Sequence, residues 1–328
     1  MNRFMMNIKT YLNSLPQDTK KIDLSNQNLL VLPDLTKFID LEILDCSHNL
    51  LTKIEILNNN LKILRCNNNK LTSLPKLNNK LEHLYCSNNY LSQLPLLNNN
   101  LTILVCMNNR LTSISSINDN LKSLSCNNNQ ILLLPLLKNL SYLYCNNNNI
   151  STLPPLNNLQ VLECNNNNIT HLPLLNENLK QLLCNNNRLL ILPSLNNNLE
   201  ILQCEGNLLT SLPQLNNNLK RLLCNNNYLL HLPLLNNSLE ILSCINNPIY
   251  TIISNTNKRL SIIEINKKYN IFNNFRSIYF LLKFKQKFIK WYWKSQEEKI
   301  KNTYSPDKLL SLLLNNNDNN LEYLLETW

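Results

Sequence analysis

Apolar residues recur along most of this chain with a period of about 20 residues, and eleven cysteines mark that period. From Cys46 to Cys244 the steps between successive cysteines are 20, 20, 20, 20, 19, 19, 20, 20, 20 and 20 residues. Leucine stands five and two residues before each cysteine, asparagine three residues after it, and leucine or isoleucine five and eight residues after it. A fixed period of this kind indicates a solenoid, in which similar coils stack on one another.

Each period predicts one short strand followed by an extended return. The segment L-x-x-L-x-C alternates apolar and polar positions, as a half-buried strand does. A proline usually follows the leucine or isoleucine eight residues after the cysteine, and it disfavours a full helix on the return path. The recurring asparagine is predicted to be a buried amide that satisfies backbone groups in the turn after each strand.

Written out, one unit is L-x-x-L-x-C-x-x-N-x-L-x-x-L-P-x-L, which resembles the leucine-rich repeat in eleven consecutive copies. A twelfth copy precedes them, anchored on Ile22, Leu24, Leu29 and Leu32, and a degenerate thirteenth follows at Leu260, Ile263 and Ile265. Units this short are most similar to the bacterial subfamily, which includes type III effectors of enteric pathogens. The resemblance implies an α/β-type repeat solenoid, a horseshoe with a parallel β-sheet on its concave side and an extended convex side. We expect an N-terminal cap with a short helix over residues 1–18, the solenoid over 19–265, and a basic helical tail over 266–328.

Composition removes several classes of function. The chain has 68 Asn, no Ala, and one Gly, Gly206, so it cannot form a Gly-rich phosphate-binding loop. The avoidance of Ala and Gly is also typical of codon bias in an AT-rich genome. No segment reaches the roughly 18 apolar residues of a membrane span, and the first residues lack the continuous apolar stretch of a signal peptide. These features predict an intracellular, cytoplasmic protein with reduced thiols.

The cysteines admit two interpretations. Adjacent coils stack about 4.8 Å apart, which is within reach of a disulfide, and paired cysteines also occur in zinc sites. However, spacings near 20 contain no C-x-x-C element, and the cysteine takes the place of a core leucine. We therefore expect a ladder of small buried hydrophobes, with no metal and no cofactor.

The solvent-facing residues of the strands form the predicted binding surface. Seven of them are apolar or aromatic over neighbouring repeats, which favours a protein-binding patch: His83, Tyr85, Ile103, Val105, Met107, Tyr142 and Tyr144. The alternative is an exposed sheet that simply tolerates β-forming residues. Four residues before the cysteines, Glu42, Lys62 and Glu82 alternate in sign, as Lys180 to Glu240 do later, and this predicts a structural salt ladder.

The last sixty residues differ in kind. From Lys258 to Ser305 there are 12 Lys or Arg against 3 acids, and the pattern predicts an amphipathic helix. Its basic face is formed by Arg276, Lys283, Lys287, Lys290 and Lys294. This tail either caps the solenoid or docks on an anionic membrane, nucleic acid or a calmodulin-like partner. It also resembles the tails of repeat proteins from giant amoebal viruses, which implies a viral source and a location in the host cytoplasm.

Enzymatic activity is not expected. The similar bacterial effectors include ubiquitin ligases with a catalytic cysteine in a separate C-terminal domain, but no cysteine follows Cys244 and no Ser-His-Asp or paired-carboxylate arrangement stands out. The sequence predicts a non-enzymatic module that binds a partner protein, a host protein if the source is viral, on its concave face and takes no small-molecule substrate. Docking through the basic tail, with the solenoid as scaffold, is the alternative. A duplicated gene product under weak selection also stays open.

Overall fold

The computed structural model describes residues 8–114, 117–249 and Lys287. The chain divides into two units, Met1–Ile262 and Ile263–Trp328, and the described residues other than Lys287 belong to the first. A short helix, α1, spans Ile8–Ser14. It is followed by twelve strands: β1 (Lys21–Asp23), β2 (Ile43–Asp45), β3 (Ile63–Arg65), β4 (His83–Tyr85), β5 (Ile103–Val105), β6 (Ser123–Ser125), β7 (Tyr142–Tyr144), β8 (Val161–Glu163), β9 (Gln181–Leu183), β10 (Ile201–Gln203), β11 (Arg221–Leu223) and β12 (Ile241–Ser243).

The twelve strands form a single parallel sheet in which β1 to β12 pair in chain order. The predicted repeat solenoid with a parallel sheet is therefore confirmed for the described residues. Among these residues, no helix is long and apolar enough to cross a membrane. The degenerate thirteenth repeat and the helical tail lie outside the described residues.

Strand register follows from the burial of one leucine or isoleucine per repeat. Each strand has three residues, and its middle residue points into the core; from β1 to β11 this residue is at most 1% exposed. The middle residues of neighbouring strands align directly, as Leu84 does with Leu104 and Leu104 with Leu124. Because burying such a side chain contributes about 1.5–3 kcal/mol, and a one-residue shift would expose it, the apolar pattern fixes the register.

The cysteines continue the core directly after β2 to β12. All eleven are free and buried, which confirms the prediction that they are core residues. Their backbone amides extend the parallel pairing by one step, as where Cys86 N donates to Val105 O at 2.8 Å. Burial raises the pKa of the Cys86 thiol to about 12, and the pKa values of the other ten thiols are raised for the same principal reason. At neutral pH these thiols are therefore protonated and act as small hydrophobes.

A buried asparagine joins each repeat to the one before it. The Nδ2 of Asn89 donates to the backbone oxygens of Cys66 and Cys86 at 3.0 and 3.1 Å, and its Oδ1 accepts from the backbone N of Leu71 at 3.0 Å. The same amide is buried in every cysteine-containing repeat: Asn49, Asn69, Asn89, Asn109, Asn129, Asn148, Asn167, Asn187, Asn207, Asn227 and Asn247. The predicted role of this asparagine is confirmed, since it satisfies backbone groups that the strand ladder no longer pairs.

The residue two positions after each cysteine adopts the left-handed backbone conformation. This position is occupied by Asn in nine repeats, by His48 in the first and by Gly206, the single glycine, with φ between 52° and 62° throughout. Only Gly and, less readily, short polar residues such as Asn enter this region at low cost. Many of the exposed amides also bond to one another, as where Asn108 Nδ2 donates to Asn88 Oδ1 at 2.7 Å. The Asn-rich composition therefore has a structural basis.

The convex side is extended, as predicted, and no helix separates the strands within residues 8–114 and 117–249. A further row of asparagines lies there: Asn98 Nδ2 donates to Asn78 O at 2.6 Å and to Leu81 O at 3.0 Å. The two 19-residue repeats lack this asparagine, and direct backbone bridges form there instead, between Leu137 and Leu156 and between Leu156 and Leu175. The convex segment of these repeats is therefore one residue shorter, and the strands of the sheet stay in register.

Candidate partner-binding face

The concave face is defined here as the outward-pointing first and third residues of each strand together with the residue after each cysteine. All seven residues of the predicted patch lie on this face. His83 and Tyr85 belong to β4, Ile103 and Val105 to β5, and Tyr142 and Tyr144 to β7, whereas Met107 follows Cys106. Tyr142 is 38% exposed and the other six are half-buried.

The first part of the patch is an aromatic pair with a stacked cation. The rings of His83 and Tyr85 meet edge to face, with centroids 6.3 Å apart. The guanidinium of Arg65, on the preceding strand, lies 5.5 Å from the centroid of the Tyr85 ring. On the following strand, Ile103 and Val105 align with His83 and Tyr85. These contacts hold the aromatic side chains in place before any partner binds.

Two serines divide the patch. The outward residues of β6, Ser123 and Ser125, lie in register between Ile103 and Val105 on one side and the tyrosines of β7 on the other. Among the twelve described strands, β6 is the one whose two outward residues are both small. Ser125 is also only 9% exposed although it faces outward, because its larger neighbours shield it. The concave face thus has a step, one strand wide, at the middle of the patch.

The second part of the patch is the tyrosine pair of β7. The hydroxyl of Tyr142 donates to Gln160 Oε1 at 3.3 Å. Partial burial, and to a smaller extent the neighbouring charge of Glu163, raises the pKa of Tyr144, so this phenol stays neutral at physiological pH. The Glu163 carboxylate is held by Asn146, whose Nδ2 donates to its Oε2 at 2.9 Å.

Charge is absent from the centre of the concave face and present on both sides of it. Across β4 to β7 the face has no Asp, Glu, Lys or Arg. Towards the N-terminus the face carries Lys21, Asp23, Asp45 and Arg65, and towards the C-terminus it carries Glu163, Glu205 and Arg221. The patch is therefore a neutral aromatic and aliphatic region with charged borders.

Ion pairs join some of the residues that immediately precede neighbouring strands. Glu42 pairs with Lys62 at 2.8 Å and with Lys20 at 3.6 Å, and Glu200 pairs with Lys220 at 2.8 Å. The lysine contacts lower the pKa of both carboxyl groups. The predicted salt ladder is confirmed at these pairs, and because the side chains are exposed each pair contributes little to stability.

Sequence reasoning identified the aromatic residues but missed Arg65, the serines of β6 and Glu163, which decide how the patch is divided. The sequence did contain a signal for the serines, because among the twelve described strands β6 is the one with serine at both outward positions. Of the predicted basic face of the tail, Arg276, Lys283, Lys290 and Lys294 lie outside the described residues, and Lys287 is exposed. No cluster of His, Cys, Asp or Glu within the described part of the chain is arranged to hold a metal ion.

Comparison with known proteins supports the fold. No protein-family model and no curated protein matches the chain. Among solved structures, YopM, a leucine-rich effector protein from Yersinia pestis, is 28% identical with a TM-score of 0.52, over 70% of this chain and 84% of that one.

Two more distant likenesses concern the fold alone. A chain of the LRIM1/APL1C complex is 23% identical with a TM-score of 0.52, over 62% of this chain and 47% of its own. A chain of an octameric complex of Latrophilin 3, Unc5D and the leucine-rich repeats of FLRT2 is 19% identical with a TM-score of 0.51, over 65% of this chain and 83% of its own. The repeat, the parallel sheet and these likenesses together show that the chain has the leucine-rich-repeat fold.

Proposed function

We propose that this protein is a non-enzymatic interaction module that binds a partner protein on the concave face, over β4 to β7. The observation that carries this proposal is the neutral, aromatic centre of the face with charges confined to its borders. Protein interfaces have the same arrangement, with a core depleted of charge and enriched in tyrosine and a polar rim around it. An apolar and aromatic patch on an open sheet is also the less expected observation for a surface that contacts only water.

The structural likenesses support a protein as the partner. Two of the similar leucine-rich-repeat structures were solved as complexes with other proteins, LRIM1/APL1C and the assembly that contains FLRT2. YopM is an effector protein. We propose a comparable role here, as an adaptor or effector of viral origin that acts on a host protein in the host cytoplasm.

The proposal is tested by affinity capture from host-cell lysate with the full chain as bait. The variant Tyr85→Ser, Tyr142→Ser, Tyr144→Ser removes the aromatic centre while leaving the buried core untouched. The matched control is Tyr90→Ser, Tyr228→Ser, which removes two exposed tyrosines that lie outside the concave face. We expect a partner that both the wild type and the control retain and the triple variant loses. Equal capture by all three baits would overturn the proposal.

Salt separates this function from docking through the basic tail, which remains a prediction from the sequence. Binding of a basic segment to a polyanion weakens steeply between low and physiological salt. A partner held by the neutral centre of the concave face should be captured almost equally at both concentrations. Capture that survives the tyrosine substitutions but is lost with salt would favour the tail instead.

A further inference from the structure

Tyr85 and Tyr144 occupy the same position in their repeats but have different neighbours. On the strand before Tyr85 lies Arg65, whose guanidinium stacks 5.5 Å from the ring centroid. On the strand before Tyr144 lies Ser125, which is too short to reach over the ring. The outer face of the Tyr144 ring therefore lacks the cation that its counterpart on β4 has.

Stacking of arginine on tyrosine recurs in this solenoid. A second pair, Arg110 and Tyr90, occupies adjacent repeats at the position four residues after the cysteine, and its guanidinium lies 4.7 Å from the ring centroid. In the described part of the chain, there are two places where arginine and tyrosine occupy equivalent positions of adjacent repeats. The guanidinium stacks on the tyrosine ring at both places. The spacing between repeats thus suits a guanidinium over a tyrosine ring.

A carboxylate lies on the other side of Tyr144. Glu163 aligns with Tyr144 on the next strand, about 4.8 Å away between backbones. Its described polar contact is with the neutral amide of Asn146, and no lysine or arginine of residues 8–114 and 117–249 forms an ion pair with it. By contrast, Asp45, another acid at the same strand position, aligns with Arg65.

We propose that the concave face binds an arginine side chain of the partner over Tyr144 and beside Glu163. This inference rests on the proposed function, because it assigns the chemistry of one contact within the same face. The partner's guanidinium stacks on Tyr144 from the side of the following strand, β8, and its N–H groups donate there to the Glu163 carboxylate. Arginine suits this site better than lysine because its planar fork both stacks on a ring and donates two parallel hydrogen bonds.

The experiment is a saturation-transfer NMR titration of the full chain with three probes: N-acetyl-argininamide, N-acetyl-lysinamide and N-acetyl-leucinamide. We expect argininamide to bind most tightly and Glu163→Gln to weaken its binding by about three- to tenfold, the range typical of cation–π and charge-assisted contacts. The matched control is Glu205→Gln, since Glu205 also lies on the concave face and also accepts from an asparagine amide, that of Asn225. Its substitution should leave argininamide binding unchanged.

A second variant, Ser125→Arg, supplies the cation from the chain itself. Arg65 shows that the sheet accepts arginine at this strand position, and circular dichroism checks that the variant folds. We expect it to weaken argininamide binding, because a second cation on the Tyr144 ring repels the guanidinium of the probe. Leucinamide binding more tightly than argininamide, or argininamide binding that is the same in wild type and Glu163→Gln, would overturn the inference. Partner capture that needs the tyrosines but not Glu163 would also overturn it while leaving the proposed function intact.

Discussion

Asn109 bonds to Cys86 across the boundary between two repeats: its Nδ2 donates to the Cys86 backbone oxygen at 3.0 Å, and also to the oxygen of Cys106 in its own repeat at 3.1 Å. Its Oδ1 accepts from the backbone N of Leu91 at 3.0 Å. One amide thereby satisfies three buried backbone groups in two repeats. Neighbouring repeats are held together by this contact as well as by the leucine core.

The first prediction concerns that amide. Asn109→Ala leaves the backbone N–H of Leu91 without a partner, while the oxygens of Cys86 and Cys106 each keep one amide donor, from Asn89 and Asn129. We therefore expect the free energy of unfolding to fall by about 1–3 kcal/mol, the cost of one buried group left unpaired. The control is Asn99→Ala, because the Asn99 side chain is exposed in a turn. Urea unfolding followed by circular dichroism measures both. Equal loss of stability in the two variants would contradict a specific role for the buried row.

The second prediction concerns Gly206, whose φ of 62° lies in the left-handed region. Gly206→Asn introduces the residue that most other repeats carry there. Its Cβ meets the Asn186 side-chain oxygen, which can move aside because it is the end of a side chain, so we expect a change in stability within about 0.5 kcal/mol. A β-branched residue enters this region at much greater cost, so Gly206→Val should destabilise the protein by at least about 1–2 kcal/mol. Thermal unfolding of the two variants distinguishes these results. Similar melting temperatures for Asn and Val would show that the backbone conformation is not the constraint.

The third prediction is a loss of stability in mild alkali. Burial raises the pKa of the thiols, for Cys126 from 9.0 to about 12, so above about pH 9 the unfolded chain releases protons that the folded chain keeps. The thiol contribution to stability is therefore complete below about pH 9 and is lost as pH rises towards 12. Each thiol lowers the free energy of unfolding by up to about 1.4 kcal/mol per pH unit in that window.

Urea unfolding between pH 9 and 11 measures this slope. The double variant Cys106→Ala, Cys145→Ala lacks two of the buried thiols. Its free energy of unfolding should therefore fall less steeply with pH than that of the wild type, by an amount that corresponds to up to two protons. The comparison uses the slope because both substitutions also leave small cavities that lower stability at every pH. An unchanged slope would contradict the assignment of the alkaline transition to the cysteines.

The fourth prediction concerns thiol reactivity. Thiol reagents attack the thiolate, and the raised pKa values together with burial keep the folded thiols protonated and covered. Cys244 follows the last described strand and has a smaller shift, to about 11, so it should react first. With Ellman's reagent at pH 7.5 we expect slow reaction in the folded protein and rapid reaction of all eleven thiols in denaturant. Rapid reaction of Cys86 or Cys126 in the folded protein would contradict their burial.

The periodic features of the chain were predictable from the sequence because they recur in every repeat. The buried leucines, the cysteine core and the inward asparagine recur at fixed offsets, so strand positions and register followed directly. The left-handed conformation of the residue two positions after each cysteine was not predicted. The asparagines at this position resembled composition bias until the backbone angle φ of Gly206 and its equivalents was known. The place of the seven patch residues on the concave face was predictable, whereas the division of the patch at β6 was missed; that the patch binds a partner stays a prediction.

The outward residues explain that limit. These residues vary from repeat to repeat, so the 20-residue period does not predict them. The contacts that shape the patch also join residues on different strands. The stacking of Arg65 on Tyr85 and the placement of Glu163 beside Tyr144 required the register in three dimensions. The role of the basic tail, including Arg276 and Lys294, stays a prediction from the sequence.

The most direct test of the central claim, that the concave face over β4 to β7 binds the partner, is the dissociation constant of the captured partner measured by calorimetry. The titration compares the wild type, the variant Tyr85→Ser, Tyr142→Ser, Tyr144→Ser, and the control Tyr90→Ser, Tyr228→Ser. We predict that the triple variant weakens binding by about 30-fold or more, which corresponds to about 2 kcal/mol for the loss of interface anchors, and that the control binds as the wild type does. Equal dissociation constants for the wild type and the triple variant would contradict the claim.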